Sequence, residues 1–163
     1  MRALSLAFVF ACAATAASAQ ATGTNANFRM TATTSASKAA VYALWADPKA
    51  WPRWDSQVAT VTFAGPARVG AKGKIKGKGG PESQFEITAM VPNERFSYVV
   101  KSAGASITYD QFIDAGEPTK FTHAVKFSGA AGGFLSGILG KRFRAALPDS
   151  MSKLKALAES AKN

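Results

Sequence analysis

Residues 41–55 read VYALWADPKAWPRWD, a stretch that contains all three tryptophans of the chain. Together with the KAA that precedes it, its first part predicts a helix over 38–46. Three large apolar residues share one face of that helix: Val41, Leu44 and Trp45. Ser35 or Ser37 can cap its start, and Asp47 can cap a second short turn, PKAWPRW. The stretch therefore predicts two short helices in succession.

On both sides of these helices the sequence is typical of β-strands. Residues 27–33 alternate apolar and polar side chains, which is the pattern of a half-buried strand. Six further segments follow the helices and are separated by glycine and proline turn signals: 59–64, 70–78, 83–91, 95–101, 105–113 and 119–128. Short strands in such regular succession predict an antiparallel meander.

The spacing of the apolar residues changes near the carboxyl end of the chain. Apolar residues recur there every three or four positions: Leu135, Leu139, Phe143, Leu147, Met151, Leu154 and Ala158. This spacing predicts one long amphipathic helix. Because a proline inside a helix costs ~3 kcal/mol, we expect Pro148 to cause a kink or to divide it into two helices. The element order predicts an α+β domain, with the long helix covering the apolar face of a curved, seven-stranded antiparallel sheet.

The first 19 residues have the regions of a secretory signal peptide. A positive charge is followed by apolar or small residues over 3–16 and by an A-x-A-like cleavage site at 17–19. Removal of 19 of the 163 residues leaves 144, enough for a disordered lead-in over 20–26 and a single domain over 27–161. The only cysteine, Cys12, leaves with the signal. We therefore expect a protein without disulfides that is secreted across the inner membrane, into the periplasm of a Gram-negative host.

The chain is strongly basic, with 20 Lys and Arg residues against 10 Asp and Glu residues. Loss of Arg2 with the signal leaves a net charge of +9. A charge of this size favours contact with an anionic surface. For an exported protein we expect that surface to be anionic lipid or envelope polysaccharide and not nucleic acid. Solubility alone is an alternative explanation.

Four lysines share one face of the predicted strand 70–78: Lys72, Lys74, Lys76 and Lys78. We expect this face to point to solvent. There it either protects an exposed sheet edge or contacts an anionic membrane, at ~1 kcal/mol per lysine. The opposite face carries Ile75 and otherwise only alanine and glycine. That small face predicts either a cavity at this point or space for a bulky side chain from the helix.

The segment 132–144, GGFLSGILGKRFR, combines glycines and apolar residues with three cations, Lys141, Arg142 and Arg144. One interpretation is a mobile gate that touches an anionic bilayer and admits a ligand. The other is an ordinary helix start whose glycines allow close packing on the sheet.

Residues 41–55 resemble the segment V-w-x-x-x-x-D-x-x-x-W-p-x-W-d of the polyketide cyclase/dehydrase and lipid-transport family, in the START-like helix-grip (SRPBCC) superfamily. Gly70 after a valine, VPNERF over 91–96, and Thr119 at a strand start also fit that family. The resemblance covers about residues 27–160. It implies a helix-grip fold with a deep apolar cavity between the curved sheet and the last helix. Since this family includes carriers, binding proteins and enzymes, the resemblance implies no single activity.

Strand alternation and the helix stripe predict which side chains line that cavity. The candidates are Phe85, Ile87, Phe96, Tyr98, Ile107, Tyr109, Phe121, His123, Val125, Leu139, Phe143 and Leu147. His123 falls on the apolar face, where it can bond a ligand oxygen or act as a general base. The alternative is a buried histidine bonded to its neighbours. Tyr109 can place its hydroxyl in the cavity, so these two residues are the catalytic candidates if the protein is an enzyme.

Several kinds of site have no support in the sequence. A single histidine and the loss of Cys12 argue against a structural zinc site. Four acidic residues form no obvious inward-facing pair: Glu82, Glu86, Asp110 and Asp114. No G-x-S-x-G, phosphate-binding P-loop or G-x-G-x-x-G motif opening a helix after a strand is present. We therefore expect no metal and no cofactor.

The main hypothesis is a monomeric, exported binder or carrier of a small hydrophobic ligand, such as a lipid, a sterol-like or a quinone-like molecule. A second hypothesis is a cyclase- or dehydratase-type enzyme that acts on an apolar carbonyl compound in the same cavity. A third is an envelope-binding module that uses the basic face and has a filled core. The volume of the cavity separates the third hypothesis from the other two.

Overall fold

The computed structural model describes residues 20–102 and 104–161. The predicted signal peptide, residues 1–19, lies outside these described residues. Within the described residues, no helix is long and apolar enough to cross a membrane.

Eight antiparallel strands form one sheet in the order β1-β2-β8-β7-β6-β5-β4-β3. The strands are β1 Thr22–Gly23, β2 Asn27–Thr34, β3 Val58–Thr62, β4 Lys72–Gly77, β5 Glu82–Val91, β6 Arg95–Ser102, β7 Ala105–Ile113 and β8 Thr119–Ser128. All the predicted strands are present, and the meander from β3 to β8 is confirmed. β4 begins two residues later than predicted because Gly70 belongs to the preceding turn, with a φ of 82°.

β1 is an addition to the predicted sheet. Residues 20–26 are expected from their composition to be disordered, whereas the structure pairs Thr22–Gly23 with β2. Ala21 is buried, and the guanidinium of Arg144 donates to its carbonyl oxygen at 3.4 Å. The edge of β2 offers backbone hydrogen-bond partners to this segment. The small, polar side chains of residues 20–26 do not predict that pairing, because it uses backbone groups.

The short helical elements after β2 are α1 Lys38–Ala46, a 3₁₀ turn Pro48–Ala50 and α2 Trp51–Trp54. Ser37 caps α1, because its side chain accepts a hydrogen bond from the backbone N–H of Ala40 at 3.2 Å. Asp47 caps the turn by accepting from the backbone N–H of Lys49 at 3.0 Å, as predicted. Their buried side chains include Val41, Trp45, Trp51 and Trp54.

The C-terminal helical region consists of α3 Gly132–Leu135, a π-helical turn Ser136–Gly140 and α4 Lys141–Ser160. Since α4 continues through Pro148, the expected alternative of two helices divided at this proline is wrong. The helix buries side chains on both sides of the proline, among them Leu147, Met151 and Leu154, and this packing stabilises it. The irregular turn lies earlier, in a glycine-rich segment of low helix propensity.

α4 packs against β2, α1 and α2. The sheet therefore wraps around the C-terminal helix, with the short helices at one end. This arrangement confirms the α+β helix-grip fold that the sequence predicts. It leaves two regions on the inner face of the sheet, one facing α1 and α2 and the other facing the start of α4.

Candidate functional site

A cavity of about 120 Å³ lies between the inner face of the sheet and the C-terminal helical region. Its walls include these predicted cavity residues: Ile107, Tyr109, His123, Val125, Leu139, Phe143 and Leu147. Further apolar lining comes from Phe28, Val58, Ile75, Val100 and Leu135. A wall of this composition suits the nonpolar part of a small ligand.

The other predicted cavity residues do not line this space: Phe85, Ile87, Phe96, Tyr98 and Phe121. Trp51 stacks on Tyr98 with ring centroids 4.2 Å apart and meets Phe85 at 5.0 Å and Phe96 at 6.1 Å. Trp45 packs on Phe121 at 6.4 Å. The two indoles thus occupy the region that faces α1 and α2. The placement of these five residues in the cavity is therefore corrected, since they belong to the packed core.

Asp55 supplies a buried carboxyl group to the cavity. Its Oδ1 accepts hydrogen bonds from the backbone N–H of Gln57 at 2.9 Å and from the hydroxyl of Ser150 at 3.4 Å. Burial raises the pKa of Asp55, while the hydrogen bonds from Gln57 and Ser150 and the charge of Lys78 oppose that rise. All four residues line the cavity and form its polar side.

His123 lies on the inner face of β8, opposite Gln111 of β7. The amide Nε2 of Gln111 lies 3.1 Å from Nδ1 of His123. Because an amide nitrogen can only donate, Nδ1 accepts this bond and the ring proton is on Nε2. Burial lowers the pKa of His123 from 6.5 to about 4, against the opposing effect of the charge on Asp110. At neutral pH the ring is uncharged, and its Nε2–H is a hydrogen-bond donor.

The ring of Tyr109 is held between two aromatic neighbours. It stacks on Tyr98 with centroids 4.6 Å apart and meets His123 edge to face at 5.9 Å. Burial raises the pKa of Tyr109 well above its ordinary value, and the charge of Asp55 raises it further, so the phenol keeps its proton. Among residues 20–102 and 104–161, neither the Tyr109 hydroxyl nor Nε2 of His123 has a hydrogen-bond partner. The cavity therefore offers two neutral donors to a ligand oxygen.

Arg142, near the start of α4, crosses the rim of the cavity. Its Nε donates to Oε1 of Gln57 at 2.6 Å, and its Nη2 donates to the backbone carbonyl of Lys78. The turn 79–81, which joins β4 to β5, lines the cavity beside this contact. Arg142 thus links the C-terminal helical region to the strands that face it, and its bonds to Gln57 and Lys78 form the Arg142 latch.

The remaining predicted surface cations lie in two other places. Lys141 and Arg144 flank a separate surface groove beside the lead-in. The lysines of β4 point outward, and two of them form ion pairs, Lys72 with Glu86 at 3.7 Å and Lys74 with Glu82 at 2.9 Å. Because β4 lies between β3 and β5, the expected protection of a sheet edge is wrong.

The small inner face of β4 has two different surroundings. A Cβ atom on Gly73 would lie 2.5 Å from the ring of Phe85 and 2.9 Å from the ring of Phe63. At this position bulky side chains fill the space, and they come from β5 and from the segment after β3 and not from the helix. Ile75 and Gly77, by contrast, line the cavity. The expected cavity therefore lies beside Ile75 and Gly77, whereas the expected bulky side chain from the helix is wrong, because residues of the sheet and of the segment after β3 fill the space at Gly73.

Most of the polar residues around the cavity are not among the site residues that the sequence predicts. Asp55 ends the stretch 41–55, so its position in the motif was the available signal. Alternation along β7 places Gln111 on the same face as Tyr109, two positions away. Ser150 carries no sequence signal, because its position opposite Asp55 results from the packing of α4.

The site combines an apolar wall, two neutral hydrogen-bond donors and one buried carboxyl group. Nδ1 of His123 is occupied by Gln111, so the ring has no free lone pair with which to abstract a proton. Within the part of the chain that the structure describes, no group of three or more His, Cys, Asp or Glu residues is placed to hold a metal ion. The arrangement is suited to holding a ligand that has one oxygen acceptor and is otherwise apolar.

Comparison with known proteins extends these observations. Residues 25–159 match the family described as polyketide cyclase/dehydrase and lipid transport. A protein from Arthrobacter aurescens has 16% identity and a TM-score of 0.65, over 86% of this chain and 91% of its own. A Rhodobacter sphaeroides protein has 12% identity and a TM-score of 0.66, and the match covers 87% of this chain and 98% of that protein. A Chromobacterium violaceum protein has 21% identity and a TM-score of 0.59, and the match covers 82% of this chain and 97% of that protein. These structures share the fold alone, and no curated protein matches the chain.

Proposed function

Because the chain belongs to the polyketide cyclase/dehydrase and lipid-transport family, we propose that it binds and carries a small hydrophobic ligand without converting it. The ligand is a lipid, a sterol-like or a quinone-like molecule, held between the sheet and the C-terminal helical region. The observation that carries this proposal is a pair of donors in a mainly apolar cavity, the Tyr109 hydroxyl and His123 Nε2–H, for which the described residues supply no hydrogen-bond partner.

The two donors define which polar group the ligand carries. A carbonyl or ether oxygen accepts hydrogen bonds from both, whereas a purely hydrocarbon ligand leaves both donors unsatisfied in a buried site. The apolar wall then receives the rest of the molecule. We therefore propose a ligand with an oxygen acceptor at its buried end.

The cavity volume limits the ligand that the closed protein accommodates. An apolar cavity of about 150 Å³ in a protein core holds benzene, so about 120 Å³ suits one small ring or a short chain. A whole lipid or quinone is larger, so its entry requires the C-terminal helical region to move. The segment 132–140 and the Arg142 latch are the elements placed to do so. A cavity of this volume also argues against a module with a filled core.

Export of the protein is the second part of the proposal and rests on the sequence of residues 1–19. Removal of these residues leaves a basic chain without cysteine, which suits an envelope compartment where anionic lipid is abundant. Fractionation of cells that express the full chain tests this part. We expect the protein in the periplasmic fraction with Gln20 as its first residue.

A second candidate function is an enzyme of the cyclase or dehydratase type. The observation that favours it is the buried carboxyl of Asp55, whose charge acts on the nearby Tyr109. Such an enzyme would release a product that differs from the ligand taken up. An Asp55→Asn variant that retains the ligand but no longer converts it would support this function over the carrier function.

The binding proposal is tested by filling the cavity. Leu139 lines it from the π-helical turn, so Leu139→Trp adds side-chain volume inside it. Val91→Trp is the matched control, because Val91 is an exposed residue at the end of β5. Displacement of the neutral dye Nile red by a fatty acid, a sterol and a quinone measures binding to each protein.

We expect the wild-type protein and Val91→Trp to bind the dye and at least one competitor, and Leu139→Trp to bind neither. Equal binding by all three proteins would place the ligand elsewhere and overturn the proposal. Thermal unfolding of each variant confirms that the comparison is made between folded proteins.

A further inference from the structure

Two large apolar side chains on the C-terminal helical region point into solvent. Phe134 is 75% exposed and Ile138 is 57% exposed. They are four residues apart, which places them on one helical face. Gly133 and Gly137 lie on the same face, and a Cβ atom added at either would meet nothing within 4 Å. The described residues therefore leave this face uncovered.

Cations follow this apolar pair directly. Lys141 and Arg142 are exposed, and Arg144 is half-buried. No acidic residue occurs between Glu117 and Asp149, so the segment that carries the pair contributes no negative charge to the surface around it. An apolar tip followed by cations is the pattern of a helix that lies in a membrane interface.

We propose that Phe134 and Ile138 insert into the surface of an anionic phospholipid bilayer, while Lys141, Arg142 and Arg144 contact the lipid phosphates. The charge of these residues distinguishes a bilayer from a second copy of this chain, which is itself strongly basic. This membrane-docking surface goes beyond ligand binding, and its test requires no ligand in the cavity.

The position of the docking surface connects it to the cavity. Leu135 and Leu139 lie on the other side of the same segment and line the cavity. Arg142 belongs both to the docking surface and to the latch with Gln57 and Lys78. Contact of its guanidinium with phosphate competes with these bonds, so docking loosens the rim of the cavity at the bilayer.

The test uses the mature chain, residues 20–163, in sedimentation with vesicles of phosphatidylglycerol and phosphatidylethanolamine or of phosphatidylcholine alone. The double variant Phe134→Ser and Ile138→Ser removes the apolar pair. The matched control is Val69→Ser and Val91→Ser, since Val69 is 55% exposed and Val91 is 42% exposed away from this segment.

We expect the wild-type protein and the control to bind the anionic vesicles, and the Phe134→Ser and Ile138→Ser variant to bind them at least tenfold more weakly. Salt should weaken wild-type binding, and phosphatidylcholine vesicles should not bind. Equal binding by both double variants would show general attraction by charge and overturn the proposal. A dimer that the Phe134→Ser and Ile138→Ser variant abolishes, without vesicle binding by the wild type, would overturn it in favour of a second copy.

A second measurement reports insertion directly. The mature chain contains no cysteine, so Phe134→Cys or Val69→Cys carries one environment-sensitive fluorophore. Anionic vesicles should shift the emission of the label at position 134 to the blue and leave the label at position 69 unchanged. An unchanged spectrum at position 134 would contradict insertion.

Discussion

The ring of Trp51 stacks on the ring of Tyr98, with centroids 4.2 Å apart and planes inclined by 24°. The indole Nε1 donates to the carbonyl oxygen of Trp45 at 2.9 Å, which fixes the ring in this position. The stack fills the part of the sheet's inner face that lies under α1 and α2. The cavity is therefore confined to the part under the start of α4.

Replacement of Trp51 tests this division of the inner face. Trp51→Ala removes the stack with Tyr98 and the contact with Phe85, so we expect it to lower the free energy of unfolding by about 3–5 kcal/mol. Urea unfolding monitored by circular dichroism measures the change. Trp51→Phe keeps an aromatic ring in place and should cost clearly less. A loss below about 1 kcal/mol for Trp51→Ala would show that the stack is not part of the packed core.

Burial of His123 predicts a pH dependence of stability. The folded protein holds the pKa of His123 at about 4, while the ordinary value is 6.5. At a pH between these two values, the unfolded chain binds a proton at His123 that the folded chain does not. The free energy of unfolding is therefore undiminished above the ordinary pKa, and it decreases as the pH falls toward the pKa of the folded protein. The whole difference between the two pKa values of His123 corresponds to a loss of roughly 3 kcal/mol in the free energy of unfolding.

Comparison with His123→Gln isolates this contribution. The raised pKa of Asp55 acts in the opposite direction in acid, but it is present in both proteins and cancels in the difference. Between about pH 7 and about pH 5, the wild-type protein should lose about 2 kcal/mol more unfolding free energy than the variant. Parallel losses in urea titrations at both pH values would mean that His123 titrates normally.

Tyr109→Phe tests the proposed donor to the ligand oxygen. Phenol and toluene have nearly the same shape, but only phenol offers an oxygen. Loss of one neutral hydrogen bond should weaken the binding of phenol about threefold to tenfold and leave the binding of toluene unchanged. Chemical-shift titrations measure both dissociation constants. If both ligands weaken equally, the hydroxyl of Tyr109 acts only through packing.

The Arg142 latch should control the rate of ligand exchange. Arg142→Ala removes its bonds to Gln57 and Lys78, so the dissociation rate constant of Nile red should rise about threefold to tenfold. Stopped-flow dilution measures that rate, and a neutral dye avoids direct effects of charge. Arg68→Ala, in the exposed loop between β3 and β4, is the matched control and should leave the rate unchanged. Equal rates in both variants would exclude a latch at this position.

The fold was predictable from local patterns, whereas the site was predictable only in part. Alternation placed Tyr109 and Tyr98 on the same inner face, and both are buried there. Only Tyr109 reaches the cavity, because Trp51, which is distant in sequence, covers Tyr98. A one-strand pattern identifies the buried face, but it contains no information about which part of that face another element fills.

The same limit explains other differences. The alternation of β4 predicted an outward lysine face, but such a pattern is the same in an edge strand and in an inner strand, and β4 is an inner strand because it pairs with both β3 and β5. Asp55 lies in the most recognisable motif, yet its role at the cavity depends on Ser150 of α4. Pro148 is the strongest local signal against a helix, and packing on both sides of it outweighs that signal.

Native mass spectrometry of the protein purified from the cells that naturally express it, followed by lipid extraction, tests the central claim most directly. We predict one co-purifying apolar molecule per chain, with a carbonyl or ether oxygen, recovered unchanged on extraction. A protein that carries no ligand, and that takes up none from a panel of lipids, sterols and quinones, would contradict the claim that the cavity exists to hold one.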